Sequence, residues 1–154
     1  MAIKYDKIEQ GLYVAIGDGA PSGTPALGSQ YTDNVTGSVY VYSTSGWKSL
    51  LNPTVQTVTS NATITATSTD DLVNVTALAV GTTIANPTGT FVNGQIVSYR
   101  IKDNATPQTI AYDTKFKAFG SALPTTTVAS KITLLSAMYN SVDDTFETVN
   151  SQEQ

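Results

Sequence analysis

The chain is 154 residues long, enough for one ordinary domain or for a small domain plus an extension. Charged residues make up 13%, about half the ~25% of a typical globular chain, and Thr, Ser, Asn and Gly fill the gap. With no Cys and no His there is no disulfide framework, no Cys/His zinc or copper site and no Ser–His or Cys–His nucleophile, and a net charge of −4 with a single Arg excludes the clustered basic face that nucleic acid requires.

Residues 1–10 (MAIKYDKIEQ) mix charge with Ile3, Tyr5 and Ile8. Ten residues of this pattern do not decide between a strand, a helix and an extended arm. They hold no apolar leader core, and no run approaches eighteen apolar residues, so neither a signal peptide nor a membrane-crossing helix is expected. Residues 11–16 (GLYVAI) are β-prone. Residues 17–28 (GDGAPSGTPALG) read as a loop, because Gly and Pro interrupt both regular structures. Its glycines do not recur every third residue, so it is not collagen. Residues 29–32 and 38–42 flank DNVTG, where Gly37 supplies a positive φ and Asp33 or Asn34 closes an Asx-turn, so a hairpin is predicted. A second turn at 43–46 leads to a third strand over 47–51. Asn52-Pro53 then favours an extended linker. The expected division is a small β-meander with an arm over residues 1–52 and a larger domain over 53–154.

From Thr54 onward apolar and polar residues alternate, with β-branched residues dominant, which is the strand signal. Strands are predicted over 54–62, 64–69, 72–79, 82–85, 95–102, 108–112, 131–139 and 145–149. DNATP (103–107) and NSVDD (140–144) read as hairpin connections, and residues 124–130 as extended. Short strands at ~8–12-residue spacing predict an all-β fold, specifically a jelly-roll-like β-sandwich.

Candidate chemistry is sparse. Asp70-Asp71 and Asp143-Asp144 are paired carboxylates, a residue type suited to acid–base work or to Ca²⁺. Each pair falls in a predicted turn, where Asp serves local backbone hydrogen bonds. Asn-X-Thr triplets begin at Asn34, Asn61, Asn74 and Asn104, without a secretory context to use them. Gly17-Asp18-Gly19 is too short to cradle a phosphate. The aromatics Tyr99, Tyr112, Phe116, Phe119 and Tyr139 suit core and interface packing better than a sugar-stacking platform. Tyr112 and Phe116 flank the polar run DTK and are best placed for exposure. Tyr112, Phe116 and Phe119 are therefore the candidate surface-binding residues. No catalytic residue, cofactor or metal is expected. So little charge on so long a chain implies that much surface is covered by copies of itself or by a larger assembly.

Residues 31–47 (YTDNVTGSVYVYSTSGW) resemble a small module frequent in phage fibres and virion proteins. Over residues 55–154 the segments DLVNVTALA (71–79), PTGT (87–90), NGQ (93–95), YRIKDN (99–104) and LPTTTV (123–128) resemble the threonine-rich C-terminal β-domain of bacteriophage fibre and other virion surface proteins. The resemblance implies a structural protein of the virion, displayed as a head domain and often trimeric, with no catalytic motif to transfer. The chain lacks the repetitive or coiled-coil shaft of a long fibre, so a short head fibre or a capsid decoration subunit is expected, with a tail appendage or a glycan-recognising receptor-binding module as the alternative. The implied partners are further copies of the chain, a major capsid or other virion protein docking on residues 1–52, and a host surface glycan, with no nucleic acid and no membrane insertion.

Overall fold

The computed structural model describes residues 4–7, 13–44, 46–50, 53–120 and 122–153. All regular structure among them is β, and no helix long and apolar enough to cross a membrane is present among them. The chain divides into two compact units, Met1–Pro53 and Thr54–Gln154.

The first unit is a five-stranded sheet in sequence order: β1 (Lys4–Lys7), β2 (Tyr13–Gly17), β3 (Gln30–Asp33), β4 (Val39–Ser43) and β5 (Gly46–Ser49). The predicted β3–β4 hairpin and third strand are present, in the register Tyr31↔Tyr40 and Tyr42↔Trp47. The β2–β3 pair is parallel, with Val14 opposite Gln30. Parallel neighbours need a crossover of about a dozen residues, and the Gly/Pro-rich loop between β2 and β3 supplies it. The small core centres on buried Tyr31, whose ring meets Tyr40 and Trp47 edge-on at centroid distances of 6.2 and 6.0 Å. Asp33 organises the hairpin turn: its carboxylate accepts from the backbone N–H of Gly19 (2.8 Å) and Val35 (2.9 Å) and from the Thr36 hydroxyl (2.7 Å). The Thr36 hydroxyl, followed by the Val35 N–H, holds the Asp33 carboxyl below its ordinary range.

The second unit contains a six-stranded and a three-stranded sheet. In chain order its strands are β6 (Val55–Val58), β7 (Thr63–Ile64), β8 (Leu72–Leu78), β9 (Thr82–Ile84), β10 (Ile96–Asp103), β11 (Ile110–Tyr112), β12 (Phe116–Lys117), β13 (Ile132–Asn140) and β14 (Thr145–Glu153). The six-stranded sheet has the order β12-β14-β13-β10-β8-β6, the three-stranded one β11-β9-β7. The chain thus alternates between the sheets, and each visit pairs in parallel with the previous one: Val55↔Leu72 and Leu72↔Ser98 in one sheet, Ile64↔Ile84 and Ile84↔Tyr112 in the other. It coils three times, and the predicted β13–β14 hairpin then closes on β10 antiparallel, Val97 facing Ala137. A jelly-roll-like order differs from this winding, because it joins successive strands antiparallel. DNATP is likewise no hairpin turn, since β10 and β11 lie in different sheets. Residues 124–130 carry only an isolated bridge, Thr109↔Thr126.

Alternation explains the core. Val73 and Val75 of β8, Val97, Tyr99 and Ile101 of β10, Leu135 and Ala137 of β13, and Phe146 of β14 turn to one face and are buried. Ile64, Ile84 and Ile110 of the three-stranded sheet join them in one cluster. A register shift between Ile101 and Asp103 re-phases β8, so Leu78 is buried although it shares the parity of the outward-facing Leu72.

Candidate interaction surface

The same alternation turns a second set of side chains outward on the six-stranded sheet. Opposed residues form rows across the strands. One row runs Lys117, Glu147, Met138, Ile96; the next sets Ser136, Ser98, Leu72 and Val55 side by side; a third sets Leu134, Arg100, Asn74 and Thr57; a fourth pairs Ile132 with Lys102. Ile96 and Val55 are 47% and 46% exposed, and Leu72, Leu134 and Met138 are half-buried by their neighbours. The face therefore sets Met138, Ile96, Leu72, Val55, Leu134 and Ile132 among the hydroxyls of Ser98, Ser136 and Thr57, with Asn74, Arg100, Lys102, Lys117 and Glu147 as its remaining polar groups.

Its polar groups pair sideways within the sheet. Ser98 and Ser136 hydroxyls meet at 2.9 Å, and Arg100 Nη1 donates to Asn74 Oδ1 at 3.0 Å. Charge collects at the ends. The end formed by the β13–β14 turn carries Asp143, Asp144 and Glu147 against Lys115 and Lys117, and the opposite end carries Lys102 and Lys131. At the acidic end Lys115 Nζ lies 2.7 Å from Asp144 and Tyr139 donates to Asp144 at 3.0 Å. Lys115 first, and Tyr139 second, hold the Asp144 carboxyl low, while the same hydrogen bond raises the Tyr139 phenol. Asn140 Nδ2 donates to Glu147 (2.8 Å) and Asp143 (3.1 Å). A shallow groove of about 270 Å³ lies here between Asn93 and Gly94 and the side chains of Met138, Tyr139, Asn140 and Glu147.

The three residues singled out by sequence do not form one surface. Phe116 is 5% exposed and belongs to the core, with its ring 5.6 Å from those of Tyr112 and Phe146; the expectation of its exposure is corrected. A single inward turn of the two-residue strand β12 puts Phe116 inside and Lys117 out. Tyr112 is half-buried, with its hydroxyl enclosed and its phenol pushed up by burial. Tyr99 is fully buried and shifted up in the same way. Phe119, 68% exposed, is the member that faces solvent. The paired carboxylates serve their turns: Asp70 accepts from the N–H and hydroxyl of Thr67, and Asp71 from the N–H of Thr54. No group of three or more His, Cys, Asp or Glu able to hold a metal ion occurs among the described residues. The outward rows were not singled out by sequence, although the evenly spaced partners of the core residues, Ile96, Ser98, Arg100 and Lys102, were the available signal.

No family model matches the sequence, and no curated protein matches it. Among solved structures, the chain is similar to part of one described as "Structure of a chaperone-substrate complex", with 16% identity and a TM-score of 0.40. The match covers 75% of this chain and spans 20% of that one, and a likeness at that score carries no argument.

Proposed function

We propose that this chain is a self-associating structural subunit of a virion surface, a short head fibre or a capsid decoration protein. The observation that carries the reading is the outer face of the six-stranded sheet, where Ile96, Val55, Leu72, Leu134 and Met138 stand in rows, on a chain with only 13% charged residues. Its likeness to virion proteins rests on the segments 31–47 and 71–128 quoted above. The larger unit fits a displayed head as two β-layers enclosing one core, a sandwich in its layering. The smaller unit is the part that docks on a capsid or other virion protein. The resemblance favours three copies.

The test is particle association. A tagged chain co-expressed during infection co-sediments with purified particles. Removal of residues 1–52 abolishes co-sedimentation while circular dichroism of the remainder keeps its β signal. A truncated, folded chain that still travels with particles contradicts the docking role, and a full chain absent from particles contradicts the virion reading. Recognition of a host glycan is the second reading, favoured only by exposed Phe119. Glycan-array binding that is lost in Phe119→Ala supports it.

A further inference from the structure

We infer that the outer face of the six-stranded sheet is covered by a second copy of this chain, stacked face to face with its strands running the opposite way. The inference deepens the self-association proposed above and rests on it. Strands β14, β13, β10, β8 and β6, spaced ~4.8 Å apart and about 25 Å long, make a footprint of roughly 600 Å², near the ~800 Å² per partner of a standard stable interface. The face combines an apolar set with polar groups. Met138, Ile96, Leu72, Val55 and Leu134 supply the apolar area, and its central polar groups already hydrogen-bond each other, Ser98 to Ser136 and Arg100 to Asn74.

Charge selects the orientation. The turn end has three acids against two lysines, and the far end has Lys102 and Lys131. Of the carboxylates at that far end, Asp103 is turned inward and satisfied by Ala105 N–H, Ser130 N–H and the Thr127 hydroxyl, and Glu153 ends β14 opposite Thr133. Copies arranged around an axis parallel to the strands bring like ends together. A two-fold axis lying across the strands sets the acidic end of each copy over the basic end of the other, and like-charge apposition is avoided at both ends. The face therefore selects two copies rather than three.

The experiment uses the full chain and begins with its mass by light scattering. Lys102→Glu and Glu147→Lys are then made singly, combined in one chain, and mixed as two separate single variants. Each single variant is expected to weaken the dimer by about tenfold at low salt, with less effect at high salt. The combined variant recovers, and so does the mixture, because in both every 102–147 contact again sets opposite charges together. The chain has no cysteine, so Ser98→Cys, near the two-fold, is a clean probe. Oxidation links it to its own copy, whereas Val80→Cys in an exposed connection does not link. A monomeric wild type overturns the self-association reading itself. An oligomer indifferent to both charge variants, or one that Ser98→Cys fails to link, overturns this interface and leaves self-association standing.

Discussion

Asp103 shows what one carboxylate does in this fold. It ends β10 on the inward face, and its oxygens accept from Ala105 N–H (3.0 Å), Ser130 N–H (2.9 Å) and the Thr127 hydroxyl (2.8 Å), which in turn accepts from Gln108 N–H at 2.9 Å. Ala105 and Ser130 both have left-handed backbones, φ 73° and 63°, a conformation that costs a non-glycine residue energy unless something holds it. Burial pushes the carboxyl up, but the donors from Ser130, Thr127 and Ala105 outweigh it, so it titrates below its ordinary value of 3.8. A folded-state value below the unfolded one contributes stability that is complete above the ordinary carboxylate range and is lost as pH falls through the folded value. Asp103→Asn should therefore lower the melting temperature by several degrees at pH 7, and the gap to wild type should narrow as pH falls below the ordinary carboxylate range. A gap that is constant across pH would show that the charge is not what matters. Sequence marked 103–107 as a hairpin connection, whereas Asp103 ends β10 and the residues after it cross to the other sheet. The partner segment around residues 127–130 was out of reach, because a contact spanning 27 residues leaves no local signal.

At the scale of elements, alternation made most strands legible: β8, β10, β13 and β14 lie where the period-2 pattern puts them. Their pairing was not legible. A parallel coil and an antiparallel roll bury the same alternate residues, and the connection between β6 and β7 is as short as a hairpin loop. β12 was missed because two residues carry no period. The coil depends on its corners. Gly89 has φ 98°, and a Cβ there would run into the Ser68 hydroxyl beside the Thr67↔Thr88 bridge that joins two coils. Gly94 has φ 83° but open space around it. Gly94→Ala should cost about 1 kcal/mol from the backbone alone, and Gly89→Ala distinctly more, about 2 kcal/mol or above. Urea unfolding of the two variants checks the order, and equal losses would contradict the crowding at Ser68.

For the whole molecule, low charge is legible in the composition, and the outer face of the six-stranded sheet of Thr54–Gln154 gathers exposed and half-buried apolar side chains in rows. The candidate aromatic site was less legible. Tyr112, Phe116 and Phe119 lie within eight residues of one another, yet side-chain direction in so short a stretch is set by which sheet each residue joins, and Phe116 is turned to the core. The face itself was present in the sequence as the second half of each alternation, where Ile96, Leu72, Leu134 and Met138 interleave with Ser98, Arg100, Asn74 and Ser136 and so break the apolar–polar contrast that marks an outward face. The central claim is that this face is not left to water. Light scattering of the full chain at micromolar concentration and moderate salt tests it most directly. The account predicts a mass about twice 16.2 kDa that falls towards one chain when Lys102→Glu is introduced; a single chain of 16.2 kDa throughout the micromolar range would contradict it.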